Sequence, residues 1–397
     1  MGFNWFGSRI NPIGVDFGSD SIKLVQVEPK DNQLRLVAAA SADVPEAAWT
    51  SPDAYEEFAV EALKKMTHEF GFRGRQIHTC LPARNMHVLH LQMAKLTPEE
   101  LKKALPFEAR GKLPFDPGRA VLRHIIAGEV YHQQETKTEV ILMAASRDSV
   151  ERQLRIIGRA KMETAAMHME PMALVECFSH LFRRATDGEL STMFVDIGAS
   201  ATHVIITHGR SVVFTKYINV AGLTLNKVAA KHAGVGVREM RQRRWQMASE
   251  KFEAARTAPG TLAIGRPAER LRELNSDGGS SAVAVLEEAR DSDDDFQGAL
   301  QEPLDVLLSE LELCVRYYDS MFSGKAINRV IFVGGESRHR PICQKLAQQV
   351  NAPATLGDPL GRLLKDGKTN CSVDMRQPQP GWAVAVGLAA GIKHAAE

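Results

Sequence analysis

Short apolar runs broken by Gly, Ser and Asp open this chain and return, in the same order, near its middle. Val15-Asp-Phe-Gly-Ser-Asp-Ser-Ile-Lys-Leu-Val-Gln-Val27 lies over Val195-Asp-Ile-Gly-Ala-Ser-Ala-Thr-His-Val-Ile-Ile-Thr207, with Asp16 over Asp196 and Gly18 over Gly198 at an offset of 180 residues. Each copy is a β-rich run ending in Asp, a small-residue turn and a second β-rich run, which is the pattern of a hairpin. A third strand is predicted after each, over Leu34–Ala40 and Ser211–Val220. Two β-β-β openings at one spacing predict two lobes of one duplicated fold.

Between the repeats, helical and strand periods alternate. Helical spacing covers Pro52–Phe70, and Gln76–Leu81 reads as a strand. Strands at Val88–Met93, Val121–Ile126 and Glu139–Ala144 then surround a helix over Thr97–Lys112, opened by Thr-Pro-Glu-Glu as cap, first position and acidic first turn. This group predicts a compact α+β insertion over about residues 84–145. Helices follow at Asp148–Lys161 and Leu223–Ala233. Residues 257–281 are rich in Gly, Pro, Ala, Ser and charge, and 287–295 are acidic, so about 246–296 reads as a variable, linker-like insertion. Order is predicted again for a helix at Leu304–Phe322, a strand at Arg329–Val333 and a helix at about Pro341–Val350.

Composition narrows the partners. The 397 residues exceed what one core usually serves, and 44% hydrophobic residues suffice for two. Lys and Arg number 49 against 48 Asp and Glu, so no global field favours nucleic acid. Five scattered cysteines without a Cys-x-x-Cys pair argue against a disulfide framework or a zinc site, and fit a reducing cytosol. The most apolar late stretch, Trp382–Ile392, is half the roughly twenty residues a membrane span needs and reads as a buried helix. The start has no signal-peptide core; Phe3, Trp5 and Phe6 read as a frayed tail rather than a membrane-surface contact.

The two Asp-x-Gly turns carry the chemistry. A triphosphate needs inward-pointing backbone N–H groups, small residues that let the backbone approach, and hydroxyls. Gly18, Ser19 and Ser21 offer these in the first copy, and Gly198, Ser200 and Thr202 in the second. Asp16 and Asp196 precede the turns, where carboxylates can hold the water shell of a Mg²⁺ ion. A third motif, Val330-Ile-Phe-Val-Gly-Gly-Glu-Ser337, runs from a strand through Gly334-Gly335 to a helix start, suited to a ribose or α-phosphate. No GxxxxGK[ST], HExxH or Gly-x-Ser-x-Gly occurs. The arginine run 238–244 reads as a solvated face or as a partner for the acidic run 287–295.

Together the three motifs resemble the phosphate-1, phosphate-2 and adenosine motifs of actin, DnaK-type chaperones, sugar kinases, FtsA and PilM. The resemblance narrows to the PilM family on Ile13–Val27, Ala104–Ala109 with Leu113–Asp116, Val150–Ala173, Phe194–Ser200 and Ala383–Ala389. It implies an α/β, two-lobed actin-like ATPase fold of duplicated ribonuclease H-like domains with an inserted α+β subdomain. The implied first lobe is 10–190, completed by 378–397, and the second is 191–377. ATP and Mg²⁺ are the implied ligands, with Lys23 after the first turn and Glu239 and Ser337 on the adenosine side joining the residues above. The implied partner is the cytoplasmic N-terminal peptide of a PilN-like inner-membrane protein, held near the insertion, where Leu101, Leu105, Phe107, Leu113 and Phe115 are the candidate contacts. That makes the chain a cytoplasmic adaptor, peripheral to the membrane through its partner, with self-association left open. Ala199 and His203 depart from the chaperone and FtsA pattern, which implies at most a slow ATPase. The rival readings are a nucleotide-free scaffold like GspL of type II secretion and a sugar-kinase-like phosphotransferase, for which no catalytic carboxylate or sugar pocket can be named.

Overall fold

The computed structural model describes residues 10–132, 135–246, 294–366 and 369–392. Within them the repeat predicted from sequence becomes two sheets of matching topology. The first sheet contains β1 (Ile13–Phe17), β2 (Ser21–Lys30), β3 (Gln33–Asp43), β4 (Gln76–Cys80) and β8 (Glu163–His168), in the order β3-β2-β1-β4-β8, with β14 (Asn370–Cys371) added outside β3. The second contains β9 (Ser191–Ile197), β10 (Thr202–His208), β11 (Ser211–Ile218), β12 (Arg329–Val333) and β13 (Ala354–Leu356), in the order β11-β10-β9-β12-β13. In both, the first three strands are antiparallel and the last two join the central strand in parallel. Parallel pairing requires crossovers, and helices supply them.

The helices obey local signals. In α1 (Pro52–Glu69) the Ser51 side chain accepts from Ala54 N–H and Pro52 opens the first turn. In α2 (Pro98–Glu108) the predicted cap is a full capping box between Thr97 and Glu100. This helix stops four residues short of the predicted Lys112. Beyond Glu108 the amides of Arg110 and Lys112 bond three residues back, and Gly111 takes φ +76°. Next come α3 (Arg147–Arg159), α4 (Glu170–Cys177), α5 (Gly222–Ala233) and α6 (237–246). Then α7 (Asp294–Met321) begins ten residues before the predicted Leu304 and runs through Pro303, because its apolar stripe already includes Leu300. The stripe continues through Leu304, Leu307, Leu311, Cys314 and Tyr318, all buried. Finally, α8 (Arg340–Val350) precedes α9 (Ala383–Ala390), which is buried around its whole circumference, as Trp382–Ile392 predicted. A Cβ on Gly14 of β1 or on Gly387 of α9 would strike the backbone of Ala385 or Ala173, so α9 lies tight against β1 and α4.

The predicted insertion is a three-stranded sheet, β5 (His87–Met93), β6 (Ala120–His132) and β7 (Glu135–Ser146), in the order β5-β7-β6, covered by α2. The strands β6 and β7 are longer than predicted, since their polar halves pair as a ladder that apolar periodicity does not reveal. The insertion also docks on the second sheet. His90 Nε2 meets Thr215 O at 3.0 Å, and Tyr317 of α7 donates to Glu139 at 2.9 Å. One apolar core runs beneath both sheets, from Val25 and Leu36 to Phe194 and Phe332. The five cysteines are unpaired, three of them buried. The predicted insertion 246–296 falls outside the described residues except at its ends, where 294–296 belong to α7. Phe3, Trp5 and Phe6 also lie outside them. Among the described residues no helix is long and apolar enough to cross a membrane.

Candidate functional site

The turns after β1 and β9 face each other across a cleft of about 370 Å³ whose walls also include Lys23, Glu170, Arg241, Trp245, Gly334, Gly335 and Arg338. Both turns have the same local cause. A Cβ on Gly18 would come within 2.6 Å of Ser21 O, and one on Gly198 within 2.9 Å of Ala201 O, so only glycine lets each hairpin fold this tightly. The Ser19 hydroxyl donates across the cleft to Ser200 Oγ at 2.8 Å, and Arg84 reaches Ser19 from the insertion at 3.0 Å. Asp20 of the first turn pairs with Arg241 of α6.

Asp16 and Asp196 are the penultimate residues of β1 and β9, and both line the cleft. Asp16 faces Lys23 across β1 and β2, with Nζ 3.8 Å from Oδ2. Burial raises its pKa, and Lys23 opposes the rise. Asp196 faces His203 instead. Burial, reinforced by Glu170 and Asp16, pushes Asp196 up to about 8. Raised this far, Asp196 keeps its proton at neutral pH until a cation joins it. Glu170, the first residue of α4, was not singled out in the sequence, and it sets a further carboxylate close to Asp16 and Asp196. Its Oε1 pairs with His203 Nδ1 at 3.0 Å, and its Oε2 accepts from Tyr217 OH at 3.1 Å. His203 is itself buried, bonded to Thr215 Oγ1 at 2.5 Å and stacked on Tyr217. The signal that could have found Glu170 is its place in Met169-Glu-Pro-Met, a helix start directly after the β8 edge strand.

Several predicted residues are placed differently. Thr202 is buried and donates to Val220 O, because the hydroxyl needs a partner once β10 is covered. Ser337 is likewise buried, its hydroxyl donating back to Val333 O, so it fixes the turn rather than lining the cleft. Glu239 sits on the exposed side of α6 paired with Arg243 at 2.6 Å and does not line the cleft. The arginine run is a solvated face only in part, at Arg238 and Arg243. Arg244 is fully buried, bonded to Asn226 at 2.5 Å and paired at 2.9 Å with Glu336, because the next turn of α6 packs inward over the Gly334-Gly335 loop. Residues 287–293 lie outside the described residues. The glycine pair is placed as predicted: Gly334 has φ +90°, and a Cβ there would collide with Asp196 and Ile197. In the insertion, Leu101 and Leu105 are core residues, each 3% exposed, since the apolar face of α2 covers its own sheet. Leu113 packs against the same core and Phe115 against His87, whereas Phe107 is 67% exposed.

A family model described as type IV pilus assembly protein PilM matches residues 14–248, more than half of the chain. The chain belongs to the PilM family. The solved PilM-PilN type IV pilus biogenesis complex matches it with a TM-score of 0.72 at 18% identity, covering 96% of this chain and 98% of that one. That likeness confirms the actin-like fold. Farther away are the ethanolamine utilization protein EutJ from Carboxydothermus hydrogenoformans (TM-score 0.49, 12% identity, covering 97% and 90%) and component A of the Acidaminococcus fermentans (R)-2-hydroxyglutaryl-CoA dehydratase (TM-score 0.44, 12% identity, covering 96% and 96%).

Proposed function

We propose that this chain is the ATP-binding adaptor of a type IV pilus assembly complex. In this reading it holds Mg-ATP between lobes 10–190, completed by 378–397, and 191–377. It also binds the cytoplasmic N-terminal peptide of a PilN-like inner-membrane protein, which keeps it beneath that membrane. The observation that carries the nucleotide part is the pair of glycine turns facing each other with Ser19 and Ser200 in contact. The donor set is oxygen-rich, as a hard cation prefers. Among the described residues no three His, Cys, Asp or Glu side chains converge to hold a metal directly, so Asp16 and Asp196 would act on a hydrated Mg²⁺. The ion would supply charge neutralisation for the phosphates; the turns would supply N–H donors.

Hydrolysis in this reading is slow. Both Glu170 oxygens already carry a hydrogen bond, from the His203 and Tyr217 side chains, which weakens the carboxylate as a base toward water. The family match favours the pilus adaptor over the type II secretion scaffold and the phosphotransferase. For the peptide, Phe107 near the end of α2 is the exposed anchor, with Leu113 and Phe115 in the segment that follows the helix. Saturating Mg-ATP, at about a hundred times its dissociation constant, adds roughly 2.7 kcal/mol and should raise the melting point by about 5–10 °C. No shift and no calorimetric heat would return the protein to the nucleotide-free scaffold. Pull-down with a synthetic peptide from the start of a PilN-like protein, using Phe107→Ala as control, tests the adaptor part; absence of binding with and without ATP would remove it.

A further inference from the structure

Arg241 of α6 and Arg338 of the loop after Gly334-Gly335 reach the same rim of the cleft from different elements. The ring they both lie over belongs to Trp245, four residues after Arg241 and so on the same side of α6. The guanidinium carbon of Arg241 is 4.2 Å from the ring centroid, and that of Arg338 is 5.4 Å away. Two guanidiniums gathered this closely repel each other. Burial lowers the Arg338 pKa, and Arg241 adds to that lowering. The negative face of an aromatic ring is what compensates for this.

Hydrogen bonding at this seat is incomplete. Trp245 Nε1, Arg241 Nε and Arg338 Nε are buried there without an acceptor among the described residues. A buried indole N–H ordinarily finds a partner, and an indole offers the arginines no acceptor in return. The ring therefore matches the seat in shape and in π charge but not in donor–acceptor pattern. A purine base offers the same flat face and carries ring-nitrogen acceptors where the indole has only an N–H donor.

We propose that Trp245 occupies, as a displaceable stand-in, the seat against Arg241 and Arg338 that the base of the nucleotide takes in the reading above, so that its ring must leave before the base can enter. The proposal rests on the nucleotide reading above and adds a regulatory element to it.

The test is calorimetric titration of the full chain with Mg-ATP and, separately, with Mg-tripolyphosphate, which has no base. Trp245→Ala should bind Mg-ATP roughly tenfold more tightly, the scale of a desolvated cation–π contact, while tripolyphosphate affinity stays within about twofold. Trp245→Phe, which keeps a ring, should fall between. Iodide should quench wild-type tryptophan fluorescence more strongly once Mg-ATP is added, and Trp245→Phe should lose that increment. Unchanged or weaker ATP affinity in Trp245→Ala, with wild type still binding ATP, would overturn the stand-in and leave the nucleotide reading standing. Should Trp245→Ala fail to fold, an iodide response of wild type that ATP does not alter overturns it equally. Binding of neither ligand by wild type or Trp245→Ala would remove the nucleotide reading and this proposal together.

Discussion

The two hairpins that face across the cleft share a backbone and differ in charge. Strand β1 runs into its turn as β9 does into the second, and in each case the register sets an aspartate opposite the residue seven positions later. In the first lobe that residue is Lys23, in the second His203. Lys23 stays at the cleft beside Asp16, whereas His203 is buried and holds Glu170. The consequence is electrostatic: Asp16 has Lys23 paired directly beside it, whereas Asp196, pushed up to about 8, feels the same lysine only as the smallest of the influences on it. Duplication fixes where the carboxylates stand, and the facing side chain sets how far the charge of each is offset before ligand arrives.

The most severe way to break the pair is to fill its glycines. Gly18→Val and Gly198→Val should each abolish the ligand-induced melting shift and cost roughly 1–3 kcal/mol of stability. The first should cost more, since its added Cβ lies closer to a backbone oxygen. Thermal melts with and without Mg-ATP read both effects, and a retained shift in either variant would detach that turn from the phosphates.

A smaller effect separates the two aspartates by pH. The raised pKa of Asp196 means the folded state keeps a proton that the unfolded chain has already lost. Its contribution is therefore complete below the ordinary carboxylate value of 3.8 and is lost as pH rises through about 8. Asp196→Asn should flatten that decline without nucleotide, gaining about 2–4 °C for each kcal/mol recovered near pH 8. Asp16→Asn should gain less, because Lys23 already offsets the charge. Parallel melts from pH 5 to 9 check this; equal gains would contradict the asymmetry.

Releasing Glu170 sharpens the comparison from the other side. In the double variant His203→Ala with Tyr217→Phe, steady-state hydrolysis should rise roughly tenfold, less than the 10²-fold or more of a fully placed general base. An unchanged rate would mean that Glu170 does not limit turnover. The smallest change is Lys23→Gln, which removes a partly exposed ion pair and should weaken Mg-ATP binding by about 0.5–1 kcal/mol in calorimetry.

Much of this was legible along the chain. The 180-residue repeat fixed both hairpins because a strand's pattern, its turn glycine and its acidic end are local properties. The cap of α2 and the glycine pair at 334 and 335 were legible for the same reason. The edge strands β8, β13 and β14 were not predicted, since their pairing depends on partners far away in sequence. Burial of Thr202 and Ser337 was equally invisible, because a hydroxyl's role depends on what covers it.

By itself the sequence determined a duplicated α/β chain with two phosphate-type turns, an inserted α+β unit and a resemblance to PilM. Only the tertiary structure decided which charges meet. It turned Arg241 and Arg244 inward, left Glu239 outside, brought Glu170 to the cleft and set Trp245 against two arginines. The physical reason is one of range. Turns and caps form between residues a few positions apart, while the protonation, pairing and burial of a cleft residue are set by neighbours that only the folded packing supplies.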